Sequence, residues 1–327
     1  MEYVALGRTG LKVSRLCFGT MTYGSKKWRE WVLEEDEARP FFRRAIELGI
    51  NFFDTADMYS RGASEEITGR ALKEFGGGRD RVVIATKVFN PMGDAPNQRG
   101  LGRKHIHHAI DESLRRLGTD YIDLYIIHRL DLETPMEEIM QALHDVVRAG
   151  KALYIGASSM YTWQFAKLQH IADQHGLTRF VAMQNHYNLI YREEEREMNP
   201  YCVSEGVAIT PWSPTARGLL AEDRNPGDSG ATLRSRTDDY GKSLYYRPED
   251  KAVIERLTDV AKRVGKRNIP VALAWLLARP GVTAPIVGAT KISHLEDAVS
   301  ALDIRLSEAD ITALEEPYAP HPVIGIE

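Results

Sequence analysis

The chain has 327 residues, and its 42 Lys and Arg against 46 Asp and Glu leave a formal charge of −4 with no block of like sign. That balance offers no basic face for nucleic acid, and no apolar run approaches the ~18 residues of a membrane helix. The two cysteines, Cys17 and Cys202, have neither metal-type spacing nor the density of a disulfide-stapled secreted fold, so the expected home is the reducing cytoplasm.

The N-terminal "MEYVALGRTGLKVSRL" lacks the apolar core of a signal peptide and predicts a hairpin instead, two short runs flanking a glycine-bearing turn. From there short apolar runs alternate with segments of helical period. "RLCFGT" (15 to 20) predicts a strand, followed by a polar extension at 24 to 35 and the helix "DEARPFFRRAIELG". "NFFDT" (51 to 55) precedes "SEEITGRALKEFG", where Ser64 is expected as N-cap and Glu65 and Glu66 sit at the positive end of the helix dipole. "VVIATKV" (82 to 88) leads through a Gly/Pro-rich stretch, expected at the rim of the same mouth, to "HIHHAIDESLRRLG". Next come "IDLYIIH" (122 to 128) and "MEEIMQALHDVVRAG", "LYIGASS" (153 to 159) and "YTWQFAKLQHIADQHG", and "FVAMQN" (180 to 185) and "EEEREMNPYCVSEG". "VAITPWS" (207 to 213) opens a long irregular stretch, 213 to 248, carrying Arg217, Arg234, Arg236 and paired tyrosines, whose length favours a functional loop. Two helices, "EDKAVIERLTDVAKRVG" and "PVALAWLLARPG", then lead to "APIVGA" (284 to 289) and the helices "SHLEDAVSAL" and "SEADITALEE".

Eight such units, with no Gly-rich dinucleotide fingerprint and no break in composition, predict an α/β fold: a closed (β/α)8 TIM barrel forming one domain over 1–327, with long loops at its C-terminal mouth. Two weaker signals carry no site. The histidines of "HIHH" spread around their helix and read as solvated, and "GGGR" (76 to 79) lacks the Lys-Ser/Thr of a phosphate loop.

Active sites of such barrels sit where the strands end. Strand ends here present Asp54, with Tyr59 just beyond it, then Lys87, then His128 on successive strands. A lysine ending "VVIAT" needs a partner for its charge, and Asp54 supplies one. A phenol titrates near ~10, so Tyr59 needs a neighbouring ammonium to become a usable acid; Lys87 is expected to lower its pKa. His128, aiming a ring N–H at a carbonyl oxygen, would polarise it. The set is a proton donor beside a polarised C=O, lacking only a hydride. Asp57 finds no role in it and is read as solvated.

These residues stand in stretches that resemble the aldo-keto reductase superfamily over nearly the whole chain: "LGRTGLKVSRLCFGTMTYG", "NFFDTADMYSRGASEEITGRAL", "VVIATKV", "DYIDLYIIHRLD" and "WSPTARGLL". The resemblance implies that Asp54, Tyr59, Lys87 and His128 form the catalytic tetrad, with Tyr59 as general acid. It also implies NADPH (NADP+) as cofactor. Ser158 and Gln184 match the contacts to the nicotinamide amide, with Ser159 where the family commonly has Asn. Trp212 stands where an aromatic stacks on the nicotinamide, while Ser213, Arg217, Gly218 and Leu219 match the segment over the pyrophosphate. Gly288, Ala289, Thr290 and Lys291 match the adenosine end, Lys291 as the basic residue for the 2′-phosphate; His294 and Ala298 replace the usual Gln and Asn. Thr20 and Met21 join the cofactor set, and Tyr23, Trp28 and Trp31 are expected to wall the substrate pocket, although the tryptophans would equally serve as anchors for the extension. The ending "EEPYAPHPVIG" is expected to fold back over the barrel.

The implied activity is NADPH-dependent reduction of an aldehyde or ketone to an alcohol. No metal, nucleic acid or membrane enters it, and a homo-oligomer is compatible with it. The rival is a cofactor-binding regulatory subunit, like the channel-accessory barrels of the family, with little turnover.

Overall fold

The computed structural model describes residues 1–221, 233–245 and 247–326. Strands β1 (Tyr3–Ala5) and β2 (Lys12–Ser14) pair antiparallel as the predicted hairpin. Gly7, at φ +58, is needed in its turn, because a Cβ there would stand 2.6 Å from the Gly206 carbonyl oxygen. Leu6 and Val13 thereby plug the floor of the barrel.

The barrel strands and their crossover helices follow in order. They are β3 (Cys17–Gly19) and α1 (Glu35–Glu47), β4 (Phe52–Asp54) and α2 (Ala63–Phe75), β5 (Val83–Val88) and α3 (Arg103–Leu117), and β6 (Ile122–Ile127) and α4 (Met136–Arg148). After them come β7 (Ala152–Ser158) and α5 (Thr162–His175), β8 (Phe180–Gln184) and α6 (Met198–Glu205), and β9 (Ala208–Ile209). Helices α7 (Leu233–Thr237), α8 (Asp239–Leu244), α9 (Asp250–Arg263) and α10 (Asn268–Leu277) lead to β10 (Ile286–Val287), followed by α11 (Ile292–Ser300) and α12 (Glu308–Glu315). The eight predicted strands are all present and parallel, in the order β10-β3-β4-β5-β6-β7-β8-β9. The ring closes through backbone bonds from Ile209 N to Gly281 O (3.2 Å), Thr283 N to Ile209 O (2.8 Å) and Ile286 N to Pro211 O (2.9 Å). β9 and β10 are short because Pro211 and Pro285 flank them and have no N–H to extend a ladder.

Strand parity sorts the core. Cys17, Phe52, Val83, Ala85, Leu124, Ala182 and Ala208 fill the barrel, while their neighbours Phe18, Phe53, Ile84 and Tyr125 pack outward with the helices.

Three local expectations need correction. Gly62 (φ 93), not Ser64, precedes α2; the Ser64 hydroxyl is buried and donates to Thr20 O at 2.9 Å, joining α2 to the first barrel strand. The stretch 213 to 248 is partly helical: Asp238 caps α8 by accepting from Gly241 N at 3.2 Å. Its positions 222–232, and Tyr246 of the tyrosine pair, lie outside the described residues. His105 of "HIHH" is buried rather than solvated, because its position on α3 faces the core with Ile106 and Ala109. Among the described residues no His, Cys, Asp and Glu cluster could hold a metal, and no helix is long and apolar enough to cross a membrane.

Candidate active site

Asp54 has the parity of Phe52, and Lys87 that of Ala85, so both point to the barrel axis at its C-terminal mouth. Lys87 is fully buried and spends its three donors on Asp54 Oδ2 (2.6 Å), Thr55 O (2.7 Å) and Tyr59 Oη (3.3 Å). Gln184 Nε2 donates to the other Asp54 oxygen at 2.9 Å, so this buried carboxylate is paired on both sides. Tyr59 lies on a tight turn in which Ser60 (φ 50) and Arg61 (φ 52) take the left-handed conformation. That turn packs closely on the polar extension, where the Ser60 hydroxyl accepts from Ser25 N at 3.0 Å. His128 ends the run Leu124, Ile126, His128 on the barrel side, its ring set edge-on to Tyr59 at 5.9 Å and 80°.

The electrostatics differ from expectation in one respect. Burial raises the Tyr59 pKa, and although Lys87 pulls it down, the net shift is upward. The phenol therefore holds its proton at neutral pH. Burial pulls the Lys87 ammonium down, but Asp54 and Tyr59 outweigh it and keep the amine charged. Burial, Lys87 and Arg129 together hold the His128 imidazole well below its ordinary pKa, so the ring is neutral. Asp57 is not solvated: it is fully buried behind the site, and burial followed by the neighbouring Glu65 pushes its pKa well up.

The tetrad opens into a cavity of about 1080 Å³ that runs from Tyr59 and His128 past Trp212 to Lys291 and His294. Small-ligand pockets are commonly ~300–1,000 Å³, so the space suits a dinucleotide with a second small molecule. Of the predicted cofactor residues, Met21, Ser158, Gln184, Trp212, Ser213, Arg217, Gly218, Gly288, Ala289, Thr290 and Lys291 line it. Thr20 and Leu219 do not: Thr20 is buried with its hydroxyl on Asp54 O, and Leu219 packs in the core. Ser158 donates to Gln184 O at 2.7 Å. Ser159, the departure from the family pattern, accepts from the Trp212 indole N–H at 2.8 Å. Ala298 is buried at the cavity edge and Lys291 is exposed at the start of α11.

Trp28 and Trp31 line the cavity, and Trp28 lies 6.3 Å from the Tyr59 ring, tilted by 40°. Tyr23 does not line it. That ring is buried against Phe18, Phe41 and Phe42, and its hydroxyl donates to Ala289 O at 2.9 Å, because the extension turns back at its base through Gly24 N to Leu33 O.

Sequence reasoning missed several neighbours. His186 stacks flat on Trp212 (4.1 Å, 9°) and on Tyr191 (4.1 Å, 12°), and the C-terminal tail folds back so that Gly325 backs this stack. Asp238 gathers Arg217 (2.5 Å), Arg234 (3.2 Å) and Arg29 (3.5 Å) at the cavity wall. Nothing local marks Asp238, since it lies in a stretch without periodicity. Asn90, also on the wall, had a signal: it is a polar residue just past the end of the Lys87 strand.

A profile of the Aldo/keto reductase family matches residues 15–319. The chain is 48% identical to versiconal hemiacetal acetate reductase of Aspergillus parasiticus, over 99% of this chain and 98% of that protein. It is 44% identical to a provisionally named aryl-alcohol dehydrogenase of Schizosaccharomyces pombe, over 99% of this chain and 97% of its relative. An aldo-keto reductase of Metarhizium robertsii is 44% identical over 99% and 93%.

Proposed function

The chain belongs to the aldo/keto reductase family, and from that premise we propose that it is an NADPH-dependent reductase of aldehydes and ketones bearing an aromatic ring. The observation that carries the reading is Lys87 bridging Asp54 and Tyr59 at the mouth of a cavity that His128 also faces.

The donor set along the cavity suits a polyanionic dinucleotide. Ser158 and Oε1 of Gln184 would hold the carboxamide, the outer face of Trp212 would hold the ring, and Arg217 with the 213–218 backbone would hold the pyrophosphate. Gly288–Thr290 and the N-terminus of α11 offer backbone N–H groups, and Lys291 adds the charge that favours a 2′-phosphate. A reduced nicotinamide bound there would supply the hydride.

This chain's own residues do the rest. His128 donates a hydrogen bond to the carbonyl oxygen and polarises it. As negative charge grows on that oxygen, the Tyr59 O–H gives up its proton to it. The Lys87 ammonium stabilises the phenolate left behind, and Asp54 keeps that ammonium in place and charged. Run backwards, the same groups oxidise an alcohol. A flat substrate would lie against Trp28, whose ring stands beside Tyr59; the aryl-alcohol dehydrogenase name of one relative agrees with this.

NADPH consumption over a panel of aromatic and aliphatic aldehydes and ketones tests the reading. Tyr59→Phe should lower kcat by ~10²–10⁴ and leave the Kd for NADPH nearly unchanged, since it removes a proton and no cofactor contact. Tight NADPH binding without turnover across the panel would instead support a regulatory subunit.

A further inference from the structure

We propose that Asn90 is a positioning residue that fixes His128 as the tautomer protonated on Nε2. The inference rests on the reductive reading above, because it concerns the group that meets the carbonyl oxygen. Asn90 lies two residues beyond β5, the strand that carries Lys87. Between them Phe89 takes φ 154°, an uncommon conformation for a residue with a Cβ, and the Gly100 N–H clamps its carbonyl at 2.7 Å. This turn sets the Asn90 side chain on the cavity wall, with Nδ2 3.1 Å from His128 Nδ1.

A carboxamide nitrogen carries two protons and accepts nothing, so at this contact Asn90 donates and His128 Nδ1 accepts. The charged and titratable groups around the ring are Tyr59 on one side, Lys87 with its partner Asp54 below, and Arg129 beside it. Two cations so close keep the imidazole neutral, with one ring proton only. If Nδ1 accepts, that proton is on Nε2. The consequence is functional. An Nε2–H donates to a carbonyl oxygen, whereas the other tautomer would present a lone pair that repels it and competes for the Tyr59 proton.

The test is long-range ¹⁵N–¹H NMR of the histidine rings in the cofactor-free protein, with His128→Asn used to assign the His128 signals. The wild type should show a protonated Nε2 and an unprotonated Nδ1. Asn90→Asp, nearly isosteric, can only accept, so it should place a proton on Nδ1. The pH profile of its kcat should then show a new ionisation, with activity falling as pH rises and the imidazolium loses its Nε2 proton. Asn90→Ala should mix the tautomers and lower kcat about tenfold, short of the ~10²–10³ expected for loss of the donor itself, with the Kd for NADPH unchanged. A wild type protonated on Nδ1, or an Asn90→Asp variant with unaltered tautomer and pH profile, would overturn the proposal. Failure of the wild type to reduce any carbonyl would overturn the reductive reading instead, and the NMR result would still decide the tautomer.

Discussion

Replacing Lys87 with methionine keeps the volume of the side chain and deletes its charge, which isolates the electrostatic work of the Asp54–Lys87 pair. Both residues are buried, at 3% and 0% exposure, and the ion pair is 2.6 Å long. In the variant Asp54 keeps Gln184 but loses the Lys87 ammonium, its one ion-pair partner among the described residues, and Thr55 O loses the Lys87 donor. Breaking a buried pair from one side leaves an uncompensated charge and typically costs about 3–5 kcal/mol. Lys87→Met should therefore lower stability by roughly that amount at neutral pH, while Lys87→Met combined with Asp54→Asn, which buries no charge, should recover much of it. Urea midpoints for the wild type, both single variants and the double variant give the coupling directly, provided the slope of the transition is unchanged. Strictly additive losses would refute the reasoning. Turnover should be lost as well, since burial and Asp54 both raise the Tyr59 pKa and only cations oppose them.

Two further outcomes follow from the site and its surroundings. Lys291→Ala should weaken NADPH by about tenfold, a change of ~1.4 kcal/mol, and leave NADH nearly unaffected; equal losses in titrations of both would return Lys291 to a solvated role. Glu194 is buried beside Glu193, and its pKa is pushed up to about 8 although Asn185 opposes this. A carboxyl raised in the folded state adds stability that is complete below the ordinary ~4.3 and is lost as pH rises through about 8, so Glu194→Gln should lose less stability than the wild type between pH 5 and 8 in urea titrations.

Much of the fold was legible because it rests on periodicity. Short apolar runs set apart by helical segments specified eight strands, and their ends picked out Asp54, Lys87 and His128; in the structure each keeps step with an apolar residue inside the barrel and so faces the axis. Turn chemistry was legible only in part. The hairpin at Gly7 follows from its sequence, but Ser64 looks like a helix cap and is instead a buried clasp on Thr20, because the chain enters α2 through Gly62 at positive φ.

The sequence by itself determined the class of fold and the residue types that meet at its mouth. A strand's pattern of faces is local information, and a strand end is a fixed place in a barrel. Only the tertiary structure decided which polar groups are buried and what they touch. Asp57 reads as solvated and Tyr23 as site-facing from their neighbours in the chain, yet both are buried, Tyr23 because the extension folds its ring onto Phe18, Phe41 and Phe42. The Trp212–His186–Tyr191 stack with Gly325 behind it, the clustering of Arg29, Arg217 and Arg234 on Asp238, and the Asn90–His128 contact each join segments distant in sequence. Such pairings leave no periodic trace, because they depend on how loops from different strands converge once the ring is closed.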